Sequence, residues 1–367
     1  MATAEECKQG EVHGGIPASI PFPFGWRSRL YALAGLSGVL LVLIVSLTTV
    51  GSVHIPFSTC VSVLLSRVPI IPVDSSYPDT VEMIVLSIRL PRIILAGLVG
   101  AGLAVAGATY QGLFRNPLAD PYLLGVASGA GLGATVAFLL PFTATWLSFG
   151  AVPVLAFVGG LGAVTVVYLL ARVGKTVPST TLILAGVALG AFLSSITSYL
   201  LTISGEELHG IVFWLLGGLS LTRWTEVVVV LPALLVGVAV IWLHSRPLNV
   251  MQLDEEQAQQ LGVNVERVKL TLLVAATLIT SAAVCFTGLI GFVGIIVPHA
   301  VRLIWGPDHR FLLPLSTVVG ALFLILADTV AHSLLPPTEI PVGVITAFCG
   351  APFFLYLLRR RRQVSLL

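Results

Sequence analysis

Charged residues are scarce in this sequence. Asp, Glu, Lys and Arg make up 10% of its 367 residues, whereas hydrophobic residues make up 56%. A soluble globular domain carries roughly 25% charged residues, so a soluble fold of this length would have to cover its surface with apolar side chains. The lipid bilayer is the better solvent for such a chain.

Cysteines are also few, and their spacing does not indicate a disulfide or a metal-binding pair. The four cysteines, Cys7, Cys60, Cys285 and Cys349, form no CxxC motif. They predict neither a disulfide framework nor a metal site. Residues 1–28 contain no apolar run, so we do not expect them to form a cleavable signal peptide.

Motifs for covalent chemistry are missing as well. Gly-Lys-Thr at 174–176 resembles the end of a phosphate-binding loop, but that loop needs a glycine where this chain has Leu169. No HExxH zinc motif occurs. Gly-Leu-Ser-Gly at 35–38 is similar to the serine motif of intramembrane proteases, yet no histidine is placed as a base for Ser37. We therefore expect no enzyme activity, and packing glycines are the preferred interpretation.

Long stretches without charge are the positive signal. They cover 30–66, 121–171, 176–205, 227–243, 270–301 and 340–358. Because a spanning helix needs roughly 20 apolar residues, the pattern predicts an all-α polytopic membrane protein with about ten transmembrane helices. The predicted spans are 30–50, 93–113, 123–141, 151–171, 180–202, 225–243, 270–289, 291–305, 311–332 and 341–358, with a short non-spanning helix at 210–220.

The remaining segments flank or interrupt this helical domain. We expect a cytoplasmic tail at 1–29, a ten-helix domain at 30–360 and a second cytoplasmic tail at 361–367. The domain contains an external loop at 51–88 and a cytoplasmic loop at 244–269. With both termini in the cytoplasm, 15 of the 19 Lys and Arg residues lie inside, as the positive-inside rule requires. The four outside are Arg67, Arg89, Arg92 and Arg223.

Small residues recur at every fourth position in three of the predicted spans. Such strips let helix backbones approach closely, so they predict a tightly packed bundle. The strips are Ala96, Gly100, Ala104, Ala108 and Gly112; Gly125, Gly129, Gly133 and Ala137; and Gly186, Gly190, Ser194 and Ser198.

The loop 244–269 has the signals of two short helices. Asp254 can cap a helix that runs to Gln260 and is stopped by Gly262. Asn264 can cap a second short helix that runs to Lys269. Two amphipathic helices between spans suit a docking surface, and an ordinary solvated loop is an equal alternative.

Asp328 lies inside a predicted span, with His332 one turn later. Intramembrane carboxylates are costly and are usually functional or paired. One interpretation is a proton or metal site, which would suit an ion-coupled secondary transporter. The favoured interpretation is structural pairing with Arg89 or Arg92, because no further ligand is positioned with the two residues.

Several motifs in a fixed order resemble the FecCD family of permeases of binding-protein-dependent ABC importers, which carry iron–siderophore complexes, haem and cobalamin. The resemblance covers roughly residues 30–360. Its motifs are Arg89-Leu-Pro-Arg92, Gly112-Leu-Phe-Arg-Asn-Pro-Leu-Ala-Asp-Pro-Tyr-Leu-Leu-Gly125, Leu184-Ala-Gly-Val-Ala-Leu-Gly190, Phe213-Trp-Leu-Leu-Gly-Gly218, Gln260-Leu-Gly-Val263, Gly291-Phe-Val-Gly-Ile-Ile-Val-Pro-His-Ala-Val-Arg302, Gly306-Pro-Asp-His-Arg310 and Glu339-Ile-Pro-Val-Gly343.

The resemblance implies a set of partners. These are a second copy of the permease, two ATP-binding subunits on the cytoplasmic face and an external solute-binding protein, in the cytoplasmic (inner) membrane of a prokaryote, with no nucleic acid. ATP and magnesium would belong to the ATP-binding subunits, and this chain would hold no cofactor and no metal. The cargo implied is an iron complex, a ferric siderophore or haem; the alternative is cobalamin.

The resemblance also implies roles for individual residues. Arg89 and Arg92 match family arginines that dock the binding protein, and His332 stands where the family has a third arginine. Gate positions map onto Asn116, Leu118, Ser179 and Thr180. The loop that couples to the ATP-binding subunits would use Asp254, Glu255, Glu256, Gln260, Leu261, Gly262 and Val263, while Asp328, Pro298 and His299 would be structural intramembrane residues.

Overall fold

The structure is a computed structural model that describes residues 25–51, 53, 55–67, 77–140, 150–174, 176–220, 222–335 and 338–364. Among these residues the regular structure is helical, apart from one isolated β-bridge between Val173 and Thr176. Most of the predicted tail 1–29, part of the external loop 51–88 and residues 365–367 of the second tail lie outside the described residues.

Fifteen α-helices follow one another along the described chain. They are α1 (Trp26–Leu47), α2 (Phe57–Leu65), α3 (Asp79–Met83), α4 (Leu90–Leu113), α5 (Val126–Leu139), α6 (Ala151–Ala171), α7 (Ser179–Thr202), α8 (Leu208–Leu215), α9 (Trp224–Leu243), α10 (Ser245–Val250), α11 (Glu255–Gln260), α12 (Val265–Thr287), α13 (Val293–Trp305), α14 (His309–Ser333) and α15 (Val342–Val364). A π-helical turn, Ile84–Arg89, joins α3 to α4.

Each predicted span coincides with an apolar helix, but the helices differ in length. Seven are long and apolar enough to cross a membrane on their own: Trp26–Leu47, Asp79–Leu113, Ala151–Ala171, Ser179–Thr202, Trp224–Leu243, Val265–Thr287 and His309–Ser333. Three are shorter: Val126–Leu139, Val293–Trp305 and Val342–Leu355. The chain is therefore a multi-pass helical membrane protein.

The differences at helix ends have local causes. The predicted span 123–141 begins later, at Val126, because a 3-10 turn at Pro121–Leu124 and the left-handed Gly125 (φ 83°) precede it. Asn264 does cap a helix, accepting a hydrogen bond from the Arg267 N–H at 3.1 Å. That helix is α12, which continues to Thr287, so the prediction of a separate short helix ending at Lys269 is wrong.

Helix α4 lies at the centre of the bundle. Every residue from Val99 to Leu113 is buried, whereas α1 buries none of its residues. The strip of small residues explains this position. A Cβ atom at Gly100 would lie 2.2 Å from the carbonyl oxygen of Gly320, so α4 and α14 cross backbone to backbone. Gly107 approaches Gly294 of α13 as closely.

The π-helical turn before α4 leaves one backbone carbonyl to be satisfied by a side chain. In the π register Leu90 N donates to Val85 O, so Leu86 O would need an N–H from residue 91, which is Pro91 and has none. The indole Nε1 of Trp224 donates to Leu86 O instead, at 2.8 Å. The turn thereby connects the start of α4 to the start of α9.

A side chain also stabilises the non-helical break between α12 and α13. Gly288 and Phe292 both adopt φ 68° there. The hydroxyl of Tyr122 donates to Ile290 O at 3.0 Å and accepts from Ile290 N at 3.1 Å. The polar backbone of this non-helical segment is therefore satisfied inside the bundle, as the bilayer requires.

Candidate functional site

Two polar clusters occupy opposite ends of α4. Arg92 lies near its first residue and Arg115 follows its last. At 1.5 Å per residue the two are roughly 30 Å apart, which is the thickness of the hydrocarbon core of a bilayer. We name the first cluster the arginine end (Arg89, Arg92, Ser220, Asp328, His332 and Glu339) and the second the loop end (residues 114–120, 177–180 and 244–269).

Arg92 is bound by two carboxylates at the arginine end. Its guanidinium donates to both oxygens of Asp328, each at 2.9 Å, and to both oxygens of Glu339, at 2.9 and 3.0 Å. Ser220 Oγ donates to Glu339 at 2.7 Å. Although partial burial opposes its charge, hydrogen bonds from Arg92 and Ser220 lower the pKa of Glu339. Asp328 is thus paired with one of the two arginines that the sequence predicted.

Arg89 is held differently, by backbone carbonyls. Its guanidinium donates to Thr48 O at 2.7 Å and also to Val53 O. The residue is 9% exposed. Arg89 therefore fastens the segment that follows α1 to the start of α4, because it supplies donors to carbonyls beyond the helix end.

His332 completes the arginine end. Its Nδ1 lies 2.7 Å from Asp328 O and 3.8 Å from the Asp328 carboxylate. A cavity of about 420 Å³ is lined by Arg89, Arg92, Asp328, His332 and Glu339, among others. Among the described residues no group of three His, Cys, Asp or Glu could hold a metal ion. The docking roles of Arg89, Arg92 and His332 stay predictions.

At the loop end, Asp254 caps α11 as the sequence predicts. Its carboxylate accepts from Glu255 N at 2.8 Å and from Arg115 Nη1 at 2.8 Å. Two hydrogen bonds lower the pKa of Asp254. The larger effect comes from the Glu255 backbone N–H, and the smaller one comes from Arg115. Helix α11 ends before Gly262, which adopts the left-handed φ of 86°. Glu256 and Leu261 are exposed on this loop, as are Gln260 and Gly262, while Val263 is half-buried.

The predicted gate positions lie next to this loop. Asn116 Oδ1 accepts from Leu118 N at 3.0 Å and shapes the turn after α4. Ser179 is the first residue of α7, and its hydroxyl donates to Glu255 Oε1 at 3.4 Å. Thr180 and Leu118 are exposed. The structure thus brings Ser179 into contact with the predicted coupling loop, and Arg115, the residue before Asn116, also contacts that loop.

Two contributors to the loop end were not singled out from the sequence. Arg115 binds Asp254, and Gln252 Nε2 donates to Gly112 O at 2.8 Å. Both contacts join positions about 140 residues apart, so local sequence patterns carry no signal for either. A third, Lys269, was assigned only to the end of a helix.

The remaining predicted residues lie inside the bundle. Pro298 is buried within α13. The ring of His299 is half-buried and packs edge-on against Phe353, with ring centroids 6.4 Å apart. These positions are compatible with the structural role predicted for them, which stays a prediction.

Helix α7 leaves most of its surface uncovered in a single copy of the chain. Its buried residues are only Leu182, Gly186 and Thr197. The exposed surface carries the small and hydroxyl side chains of Thr180, Ala188, Ala191, Ser195, Ser198 and Thr202, together with the large apolar side chains of Leu184, Val187, Phe192 and Tyr199. The hydroxyls of Ser195 and Ser198 donate to carbonyls of their own helix, so the face needs no fixed polar partner.

Comparison with known proteins gives a matching family, similar permeases and a similar solved structure. Residues 39–360 match the FecCD transport family. The chain is 50% identical over 295 residues to the cobalamin import system permease protein BtuC of Halobacterium salinarum, covering 80% of this chain and 78% of the relative. It is 41% identical over 296 residues to the hemin transport system permease protein HmuU of Yersinia pestis, covering 79% and 87%. A solved inward-facing ABC transporter, assigned to the metal-chelate type, superimposes with a TM-score of 0.78 at 32% identity, covering 90% and 99%.

Proposed function

The chain belongs to the FecCD transport family, and from this premise we propose that it is the permease subunit of an ABC importer that moves an iron complex across the cytoplasmic membrane of a prokaryote. ATP and magnesium bind to separate subunits, and this chain performs no covalent chemistry. A second copy of the chain, two ATP-binding subunits and an external solute-binding protein complete the transporter.

One observation carries this proposal. The loop 244–269 is bonded through Glu255 to Ser179 and through Asp254 to Arg115, the residue before Asn116. A soluble subunit that moved this loop would therefore move the ends of α4 and α7 with it. The dimer would then alternate between outward-open and inward-open cavities around the cargo.

The state of Asp328 argues against the ion-coupled alternative. A coupling carboxylate must bind and release its ion, whereas both oxygens of Asp328 accept hydrogen bonds from Arg92. Asp328 is 3% exposed. Such a buried, charge-assisted pair is a structural clamp.

The contacts support ten crossings with both termini at the loop end. Helix α1 ends where Thr48 O meets Arg89, and α4 runs back to Arg115. Helices α5 and α6 pack antiparallel, with Gly129 on Gly159. Helix α5 runs away from the loop end and α6 returns to it, because α7 then begins beside Glu255. Helices α9, α12, α13, α14 and α15 alternate in the same way. The shorter α5, α13 and α15 therefore also cross, and the positive-inside rule puts the loop end in the cytoplasm.

The uncovered faces support a homodimer with the cargo path between the copies. Helix α7 carries no charged side chain, so its exposed surface offers a bulky solute few polar contacts that would hold it. An apolar groove between α8 and α15, with Phe348 78% exposed at its edge, adds surface for a second copy.

Cobalamin is the second candidate cargo. The observation that favours it is the 50% identity to the BtuC protein of Halobacterium salinarum. Relatives named for hemin and for ferric citrate, at 41% and 37% identity, favour the iron complex. Because the path offers few polar contacts, the choice between them belongs mainly to the solute-binding protein.

The test is ATP hydrolysis by the chain reconstituted with its ATP-binding partner. The binding protein is added empty or loaded with haem, a ferric siderophore or cobalamin. Stimulation by a loaded iron complex is expected, and stimulation by cobalamin alone would move the cargo to the second candidate. If this chain forms no complex with the ATP-binding partner, the importer proposal is wrong.

A further inference from the structure

Lys269 is a buried cation at the loop end. It lies in the second turn of α12, and its side chain is 8% exposed. Lysine is almost never fully buried unless it is paired. Its neighbours on α12, Val265, Val268 and Leu272, are buried apolar residues that fix this end of α12 in the bundle.

The Lys269 ammonium joins three separate segments. It lies 2.7 Å from Glu255 of α11 and 3.7 Å from Glu266 of α12, and it donates to Val177 O at 3.3 Å. Both carboxylates also contact the segment that enters α7. Glu266 accepts from Val177 N at 3.1 Å, and Glu255 accepts from Ser179 Oγ at 3.4 Å.

This arrangement depends on the positive charge of Lys269. One ammonium contacts two carboxylates, so its removal would leave the partly exposed Glu255 and Glu266 without the counter-ion that they share. Helix α11 has a single buried residue, Ala258, and α7 buries only three. Apolar packing therefore holds α11 weakly, whereas α7 packs on α5 and α6, so the ion cluster is a large part of what joins α11 to the start of α7.

We propose that Lys269 is the positioning residue that transmits movement of the loop 244–269 to α7. Through Glu255 and the Val177 carbonyl, Lys269 makes α11, the start of α12 and the start of α7 move as one unit. A second link, from Asp254 to Arg115, serves the end of α4. The inference rests on the proposed function, in which separate ATP-binding subunits drive this loop.

The experiment measures movement of α7 directly. Thr180, which is exposed, is replaced by Cys and spin-labelled in a chain whose four native cysteines are replaced. The complex with the ATP-binding subunits is placed in lipid nanodiscs. The distance between the labels of the two copies is then measured by pulsed electron spin resonance, with and without ATP.

Four variants separate positioning from packing. Lys269→Met and Glu255→Gln remove the two sides of the pair, whereas Lys269→Arg keeps the charge. Arg172→Met removes a cation from the same end of the bundle, where Arg172 is exposed and donates to the carbonyl of Gly174, two residues later. We expect the ATP-dependent change of distance in the parent, in Lys269→Arg and in Arg172→Met, and its loss in Lys269→Met and Glu255→Gln.

The possible results are distinguishable. An unchanged shift in a Lys269→Met or Glu255→Gln complex that still contains the ATP-binding subunits would overturn the role of Lys269 and leave the importer proposal standing. Failure of the parent chain to bind those subunits would overturn both. If Lys269→Met does not fold, Glu255→Gln decides.

Discussion

Two arginines three positions apart illustrate how residues with one sequence motif acquire different roles. Arg89 donates to backbone carbonyls after α1, while Arg92 donates to two carboxylates. Arg89 is the last residue of the π-helical turn, whereas Arg92 lies in the first turn of α4. The sequence could predict that Asp328 needs a cation, but not which arginine would reach it.

The first prediction concerns the Arg92 clamp. Arg92→Ala removes the cation that the buried Asp328 shares with Glu339. Removing one partner of a buried pair costs about 3–5 kcal/mol. We expect the free energy of unfolding to fall by about that amount in a dodecyl sulfate titration in mixed micelles, followed by tryptophan fluorescence.

The matched control is Arg67→Ala. Arg67 also pairs with a carboxylate, Glu82, but its side chain is 67% exposed. An exposed pair contributes at most about 1 kcal/mol. Equal losses in the two variants would mean that the Arg92 cluster is solvated and that Asp328 is available for another role.

At the scale of elements, the helices were largely predictable and their ends were not. Charge-free runs and small-residue strips locate the spans because the bilayer penalises exposed charge and irregular backbone. The ends depend on local conformations, such as the left-handed Gly125, and on distant side chains, such as Tyr122 at Ile290. The candidate site follows the same division: the capping of α11 was visible in the sequence, whereas the contacts of Lys269 and Arg115 were not.

The second prediction tests the crossing of α4 and α14. Gly100→Ala would place a methyl group 2.2 Å from Gly320 O, so the two helices must separate. Overpacking of this kind costs about 1–3 kcal/mol of unfolding free energy. The same dodecyl sulfate titration measures it.

Gly162→Ala on α6 is the control for that substitution, since a Cβ atom there meets nothing within 4 Å. Alanine has a higher helix propensity than glycine by up to about 1 kcal/mol, so this variant should be at least as stable as the parent. A Gly100→Ala variant as stable as Gly162→Ala would show that the backbone contact between α4 and α14 does not limit the packing.

At the scale of the whole molecule, orientation decides whether the proposed partners can reach their surfaces. ATP-binding subunits are soluble proteins of the cytoplasm, so the loop end must face inward. Arg67 pairs with Glu82 of α3, which the π-helical turn joins to the arginine end of α4, and Leu253 precedes the α11 cap beside Arg115. The proposed topology places these two exposed positions on opposite sides of the membrane.

The third prediction is the labelling pattern of single cysteines at these positions. In a chain without its native cysteines, Arg67→Cys should react with a membrane-impermeant maleimide in intact cells, and Leu253→Cys only after the membrane is opened. The opposite pattern would invert the topology, place 15 of the 19 Lys and Arg residues outside against the positive-inside rule, and put the loop 244–269 beyond the reach of any ATP-binding subunit. Reaction of both cysteines in intact cells would mean that the segment between them crosses the bilayer an even number of times, which contradicts the five crossings that we propose for α4, α5, α6, α7 and α9.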